Sequence, residues 1–186
     1  MDLSKESRYF IALVPPTDIC KHIFEYKKLI AEKFNSKGAL RSEAHITLHM
    51  PFVWPNKRFE ELVTLIETVA SQSSYFEIET NSFGFFEPRV VYIDIIKTSA
   101  LKEIQNNLNR LMRHKLHLKN SNYKDDVFNP HITIGFRDLK KQIFPSAKEY
   151  FESCSFKTSW TQTNISLLEY KEERWDINKS QEFMTP

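Results

Sequence analysis

The chain has 186 residues, of which 41% are hydrophobic and 27% charged, and its formal net charge is +2. This composition is typical of one folded domain and excludes a disordered chain. No apolar run is long enough to span a membrane, so we expect no membrane partner. So small a net charge does not by itself indicate nucleic acid. The opening MDLSKESRYF lacks the apolar stretch of a signal peptide, so we expect a cytoplasmic protein.

Apolar periodicity predicts alternating strands and helices, taken here in chain order. The first half is predicted to hold a strand at 8–16, a helix at 17–35, a strand within 43–52, a helix at 57–72 and a strand at 75–86. The second half is predicted to hold a strand at 89–96, a helix at 99–118, a strand at 131–136, a helix at 145–152 and strands at 154–160 and 164–171. The polar segment from Glu172 onward has no clear pattern.

The two halves repeat the same order of elements, which indicates an internal duplication. Phe10 and Tyr92 in the first strands are 82 residues apart, and His45 and His131 in the later strands are 86 apart. We predict one domain over 1–186 with a pseudo-repeat at 8–86 and 89–171. Two such units normally pack about an approximate twofold axis, which brings equivalent residues face to face.

The strand at 43–52, EAHITLHMPF, places His45, Thr47 and His49 at alternate positions. Residues two apart in a strand lie on one face, roughly 6.6 Å apart. NPHITIGF later repeats the pattern with His131 and Thr133. Two such matches arise by chance in about two of a thousand sequences of this composition. Each half alone also fits ordinary surface residues of a strand, because threonine is common in strands.

Two imidazoles and two hydroxyls on facing strands suit a phosphodiester substrate. One neutral imidazole accepts a proton from the attacking oxygen, and a protonated one gives a proton to the leaving oxygen. The hydroxyls of Thr47 and Thr133 donate hydrogen bonds to the phosphate oxygens as negative charge develops. This chemistry needs no metal and no cofactor.

With two His-x-Thr-aliphatic motifs, HITLHMPF and NPHITIGF, and a YFIALVPP strand, the chain resembles the two-histidine (2H) phosphoesterase superfamily. This superfamily includes the 2'-5' RNA ligase-like proteins and the RNA cyclic phosphodiesterases. The resemblance implies an α+β fold of two lobes, each with an antiparallel sheet, with helices outside and a cleft between them. It also implies metal-free hydrolysis of a 2',3'-cyclic phosphate, or reversible 2'-5' ligation.

Carried over by motif, His45 and His131 are the catalytic acid–base pair, and Thr47 and Thr133 bind the substrate phosphate. The resemblance favours His45 as the acid and His131 as the activator of water. The expected partner is an RNA terminus or a small nucleotide, with no obligate protein partner. The alternative is a nucleotide- or RNA-binding module of the same fold that has lost the chemistry.

Several other residues are left with two interpretations. His49 lies about 13 Å from His45 on a strand, too far to share a metal, and is either at the cleft rim or a plain surface or hydrogen-bonded histidine. Phe10 and Tyr92 are core residues or base-stacking ones. Trp54 has the same two interpretations and, with Pro51 and Pro55, is expected to shape a loop after the first motif. Cys20 and Cys154 are expected to be reduced, mostly buried thiols.

Two groups of charged residues remain open. The helix end RLMRHKLHLK, residues 110–119, is either a solvated face or a nucleic-acid footprint. One of Arg41, Arg89 and Arg137 is expected to reach the phosphate, and the sequence does not select among them. Whether the loop at 119–128 closes over the cleft is also left open.

Overall fold

The computed structural model describes residues 4–120 and 128–185. These ranges contain eight strands and four α-helices. The strands are β1 (Glu6–Leu13), β2 (Ile46–Pro55), β3 (Phe76–Phe86), β4 (Val90–Ile95), β5 (His131–Gly135), β6 (Ser159–Gln162), β7 (Asn164–Lys171) and β8 (Arg174–Glu182). The helices are α1 (Thr17–Phe34), α2 (Phe59–Ser71), α3 (Ser99–Leu116) and α4 (Phe144–Glu152).

The strands form two four-stranded antiparallel sheets, in the orders β2-β1-β7-β8 and β5-β4-β3-β6. This confirms the predicted α+β fold with two antiparallel sheets. Each motif strand, β2 or β5, is at the edge of its sheet and beside the strand that begins its half of the chain. β3 crosses to the second sheet and β7 and β8 return to the first, so each sheet draws on both halves.

The helices also cross between the halves. α1 packs against β5 and α3 packs against β2, so the helix of one half supports the motif strand of the other. Their apolar faces have helical spacing, and the side chains of Ile23 and Ile30 on α1 and of Leu108 and Met112 on α3 are fully buried. This exchange joins the two sheets into one continuous hydrophobic core.

The two faces of strand β1 pack into different hydrophobic clusters. Tyr9, Ile11 and Leu13 belong to the main core, whereas Phe10 and Ala12 belong to a small second cluster on the opposite face. That opposite face is the one on which the polar motif residues lie.

Strands β2 and β5 carry the same irregularity. In both, the register with the neighbouring strand shifts by one residue just after the threonine. The pairs on either side of the shift are Ile11–His49 and Ala12–Thr47 in the first sheet, and Val91–Gly135 and Tyr92–Thr133 in the second. An extra residue of this kind in one strand is a β-bulge. The duplication therefore extends to a backbone defect at the same place in both motif strands.

The bulge overturns one expectation from the sequence. His49 does not share the face of His45 and Thr47, because the extra residue turns it inward, and its side chain is 1% exposed. The register also aligns Tyr92 with Ala12 rather than with Phe10. Phe10 and Tyr92 are on equivalent strands, as predicted, but two positions apart.

The predicted elements agree with the structure except near the C-terminus. β6 covers only the end of the strand predicted at 154–160, and β8 lies in the segment without a pattern. Its burial shows why, because Arg174–Glu182 is mostly exposed on both faces. Within the described residues, no helix is long and apolar enough to cross a membrane.

Candidate active site

The four predicted site residues lie on the two motif strands, which approach each other in space. His45 directly precedes β2 and Thr47 is its second residue, while His131 and Thr133 are the first and third residues of β5. All four side chains are half-buried, and the aliphatic residues between and after them are fully buried. The predicted division into a polar face and a core face therefore holds for both histidine–threonine pairs.

Both imidazoles are held by the same contact. Nδ1 of His45 lies 2.8 Å from the carbonyl oxygen of Glu43, and Nδ1 of His131 lies 2.8 Å from that of Asn129. A carbonyl oxygen only accepts, so each Nδ1 carries the proton and donates it. In the neutral ring, Nε2 then has the free lone pair. Each histidine therefore has Nε2 as its available nitrogen.

His45 has a cationic neighbour that the sequence analysis missed. The side chain of Lys27 on α1 is 2% exposed, and its Nζ donates to the carbonyl oxygen of Ser42 at 2.9 Å. Burial lowers the pKa of Lys27 to about 8. Burial first, and then the charge of Lys27, lower the pKa of His45 to about 4, and the charge of His131 contributes in the same direction. His45 is accordingly neutral at pH 7.

His131 has an anionic neighbour instead. Asp94 on β4 pairs with His131 on the neighbouring strand β5, and the side-chain amide of Asn81 donates to the Asp94 carboxylate at 3.2 Å. Burial lowers the pKa of His131, while its bond to Asn129 and the charge of Asp94 act against that shift. The two imidazoles thus have the same geometry but opposite neighbouring charges.

The threonine hydroxyls are available to a ligand. Within the described residues, neither Thr47 nor Thr133 makes a side-chain hydrogen bond. A hydroxyl rotates to suit its acceptor, so both can donate to the non-bridging oxygens of a phosphate between the strands.

Aromatic rings flank both histidines. The ring centroid of Phe10 is 4.7 Å from that of His45, and Trp175 on β8 packs edge-on against Phe10, also at 4.7 Å. On the other side, the rings of Phe86 and Tyr92 are each 5.0 Å from His131. These rings limit the orientations of the imidazoles and give the site apolar walls. Phe10 is buried, so the core interpretation holds for it.

Gly84 makes space for one of these rings. It pairs with Tyr92 between β3 and β4, and a Cβ atom at this position would lie 2.7 Å from the Tyr92 hydroxyl oxygen and still closer to the ring. Only glycine therefore allows Tyr92 to lie flat across β3 and reach His131.

Other predicted residues lie outside this arrangement. His49 is buried, with its ring edge-on to Phe52 at 5.3 Å, and Nε2 has no hydrogen-bond partner among the described residues. Trp54 is a buried residue of β2, so the core interpretation holds for it, and its indole donates at 2.8 Å to the Arg58 carbonyl beyond the end of that strand. Cys20 and Cys154 are free thiols that are partly buried.

The three arginines are exposed, and which of them reaches a phosphate stays a prediction. Arg41 lies 3.8 Å from the carboxylate of Glu173, and the guanidinium of Arg137 lies over the ring of Phe136. Residues 121–127 of the candidate lid at 119–128 lie outside the described residues. Among the described residues, no group of three or more potential ligands could hold a metal ion.

The sequence matches the 2'-5' RNA ligase superfamily over residues 15–174. The chain therefore belongs to this family of 2H phosphoesterases. It is 30% identical over 92 residues to a protein of Bacillus cytotoxicus named "Putative phosphoesterase". That match covers 48% of this chain and 49% of the relative, so the similarity spans about half the length of the curated relative.

Solved structures share the fold across nearly the whole chain. The crystal structure of TT0787 of Thermus thermophilus has a TM-score of 0.70 at 15% identity and covers 95% of this chain and 97% of its own. The structure of E. coli LigT with 3'-AMP has a TM-score of 0.70 at 19% identity and covers 97% and 99%. At these identities the likeness establishes the fold alone.

Sequence reasoning missed Lys27 and Asp94 as neighbours of the two histidines. It also missed Gly84 and Trp175, which contact the aromatic rings beside them. Lys27 follows the helical spacing of the buried face of α1, and a lysine at a core position was the one available signal. Asp94 is on the strand that flanks the second motif, but only the register shows that it faces His131.

Proposed function

We propose that this protein is a metal-independent phosphoesterase that opens 2',3'-cyclic phosphate ends of RNA or of small nucleotides. The observation that carries the proposal is the pair of imidazoles on facing motif strands, each with Nδ1 bonded to a carbonyl and Nε2 free. A hydroxyl two residues along each strand completes the set. Such an arrangement supplies the base, the acid and the phosphate-oxygen donors that general acid–base chemistry on a phosphate uses.

The charges around the two histidines favour one assignment of roles. His45, beside Lys27, resists protonation and suits the base, while His131, opposite Asp94, more readily forms the imidazolium and suits the acid. This is the reverse of the assignment that the family resemblance favours.

The reaction then proceeds in one displacement. Nε2 of His45 takes a proton from water as the water oxygen attacks phosphorus. The bond between phosphorus and one ribose oxygen breaks, and that oxygen takes the proton from Nε2 of His131. The hydroxyls of Thr47 and Thr133 donate to the non-bridging oxygens, where charge increases in the transition state. The product is a phosphate monoester.

The same residues also permit 2'-5' joining, in which a ribose 5'-hydroxyl attacks the cyclic phosphate in place of water. The reverse of joining, in which a neighbouring ribose hydroxyl attacks the linkage, closes the ring and expels the 5'-oxygen through the same transition state. The catalytic residues do not distinguish these directions, so the substrate supplied determines which one is observed.

The test is turnover of 2',3'-cyclic AMP and of a short RNA ending in a 2',3'-cyclic phosphate, in EDTA. We expect EDTA-resistant hydrolysis that falls by roughly 10²–10⁴-fold in His45→Ala and in His131→Ala. His22→Ala, on an exposed part of α1, is the control and should retain activity. Binding of nucleotide without turnover by the wild type would instead support the alternative of a silent binding module.

A further inference from the structure

A carboxylate just after the second motif strand is bonded to the loop that leads to the first motif strand. Asp138 follows β5, and its Oδ1 accepts from the hydroxyl of Ser36 at 2.7 Å. Its Oδ2 accepts from the backbone N–H groups of Lys37 and Gly38, at 2.6 and 2.8 Å. Ser36 lies just after α1 and is 1% exposed. We call these three hydrogen bonds the Asp138 clamp.

The backbone on both sides of the Asp138 clamp fits it closely. Arg137, directly before Asp138, has a φ of 45°, and the N–H of Asp138 donates to the Phe136 carbonyl at 2.6 Å. A residue other than glycine adopts such a φ only at an energetic cost, which its surroundings must offset. On the other side, a Cβ atom on Gly38 would lie 3.0 Å from Oδ1 of Asp138. The tight turn after β5 therefore directs the carboxylate to a loop that leaves room for it.

The clamped loop also determines the position of His45. It continues as a short 3-10 helix, Gly38–Arg41, which packs against β5. The carbonyl of Ser42 then accepts from the buried Lys27. The carbonyl of Glu43 accepts from Nδ1 of His45. Each of these contacts holds backbone, so a displacement at the start of the loop would be transmitted to the imidazole.

The other motif strand has a comparable contact, with an amide in place of the carboxylate. Asn120 lies just after α3, donates to the Leu48 carbonyl of β2 at 3.1 Å and accepts from the Met50 N–H at 3.2 Å. Each motif strand is thus bonded, directly or just beyond its end, to the loop after the long helix of the opposite half. Bonds to a carboxylate are stronger than bonds to an amide, so the Asp138 clamp is the stronger of the two contacts.

We propose that Asp138 is a positioning residue, which fixes the two motif strands at the separation at which His45 and His131 can act together on one phosphate. The strands belong to different sheets, so contacts such as the clamp, rather than a shared ladder of backbone hydrogen bonds, set this separation. A displacement of about 1 Å at a reacting group can cost about 100-fold in rate. This inference rests on the proposed function, since it concerns the joint use of both histidines.

The test uses two substrates that differ in their need for both histidines. Hydrolysis of 2',3'-cyclic AMP needs a base and an acid. Thymidine 3'-(p-nitrophenyl phosphate) has a leaving group that departs without protonation, so it needs the base alone. The variant is Asp138→Ala, and the matched control is Asp176→Ala on the exposed strand β8. Asp138→Asn is the conservative variant, because its amide oxygen can accept from the backbone N–H groups and its NH₂ group can donate to the Ser36 hydroxyl.

We expect Asp138→Ala to lower kcat/KM at least about tenfold on 2',3'-cyclic AMP and less than about threefold on the nitrophenyl ester. Asp138→Asn and the control should stay within about threefold of the wild type on both substrates. A loss of folded protein would lower both activities by the same factor, so equal losses on the two substrates would overturn the proposal. A loss in Asp138→Asn as large as in Asp138→Ala would also overturn it, because the charge and not the bonds would then matter.

Ser36→Ala replaces Asp138→Ala if that variant does not fold. It removes one of the three bonds and leaves the carboxylate in place. We expect kcat/KM to fall at least about threefold on 2',3'-cyclic AMP and less than about 1.5-fold on the nitrophenyl ester. Equal changes on the two substrates would again overturn the proposal.

NMR separates this inference from the proposed function. If the wild type turns over neither substrate, the proposed function fails, and the clamp is tested through the imidazole resonances of the ¹⁵N-labelled protein. We expect Asp138→Ala to shift the resonances of His45, although His45 is seven residues beyond Gly38, and Asp138→Asn to restore them. Resonances of His45 that are the same in Asp138→Ala as in the wild type would reject the clamp as a positioning device.

Discussion

His131 and Asp94 face each other across strands β5 and β4. In the first sheet, Leu13 pairs with Ile46, so the next residue of that chain segment, Val14, corresponds to Asp94 and lies beside His45. An apolar side chain therefore takes the place of the carboxylate. The duplicated fold therefore gives its two histidines the same hydrogen bond but a different charge. Under the proposed function, this difference would distinguish the acid from the base in a site that is otherwise symmetric.

The roles can be tested with a leaving group that departs without protonation. We expect His131→Ala to lose more than about 100-fold on 2',3'-cyclic AMP but less than about tenfold on thymidine 3'-(p-nitrophenyl phosphate). His45→Ala should lose more than about 100-fold on both, because both need a base. The opposite pattern, with His45→Ala rescued by the nitrophenyl ester, would reverse the assignment.

Asp94→Asn should lower the pKa of His131, because the carboxylate favours the charged imidazolium. If His131 is the acid, the variant loses this proton at a lower pH. The apparent pKa on the alkaline side of the kcat/KM profile should then fall by roughly 0.5–1 pH unit. The measurement is the pH profile for 2',3'-cyclic AMP, with the exposed Asp176→Asn as control. A shift of the acid limb instead would indicate that His131 is the base.

Lys27→Met should have the complementary effect. The charge of Lys27 lowers the pKa of His45, so removing this charge should raise the pKa above about 4. The acid limb of the kcat/KM profile should then move to higher pH. Lys28→Met, which removes the same charge from a half-exposed neighbour, should leave the profile unchanged. NMR titration of His45 gives the same answer without turnover, and an unaltered pKa would show that burial alone keeps His45 neutral.

His49→Leu should keep activity and improve stability in acid. Burial lowers the pKa of His49 below its ordinary value of 6.5, so the unfolded chain binds a proton more readily and stability falls as the pH drops below 6.5. Leucine removes this loss and the unpaired Nε2, but it also removes the 3.0 Å bond from Nδ1 to the Met50 carbonyl oxygen, so we expect the gain in the free energy of unfolding at pH 5 rather than at pH 7. Urea unfolding at pH 5 and pH 7 measures it, with the exposed His22→Leu as control. A tenfold loss of kcat/KM would instead place His49 in the catalytic site.

Gly84→Ala should displace the ring of Tyr92 and destabilise the protein by about 1–3 kcal/mol, since the added methyl group overlaps the ring. Activity should fall with it, because Tyr92 packs against His131. Adding Tyr92→Ala to Gly84→Ala should cost less stability than the two separate losses summed, as expected for residues that touch. Additive losses in urea unfolding would show that the glycine is needed for another reason.

The C-terminal strand shows where a sequence pattern stops being informative. β7 and β8 are joined by a two-residue turn at Glu172 and Glu173, both with positive φ, where asparagine and glycine are the usual signal. β8 is an edge strand exposed on both faces, so it lacks the apolar alternation by which strands are detected. Tertiary pairing with β7 forms it, and this brings Trp175 against Phe10.

The sequence by itself determined the order of nearly all helices and strands, the duplication, and the residues of the two motif strands, because these follow from periodicity within each segment. The inward turn of His49, the alignment of Tyr92 with Ala12, and the placing of Lys27 and Asp94 beside opposite histidines were decided by the tertiary structure alone. They depend on a bulge and on the register between strands distant in sequence. Residues such as these modify the effect of burial on the pKa of each imidazole, and no local pattern encodes which of them will lie beside it.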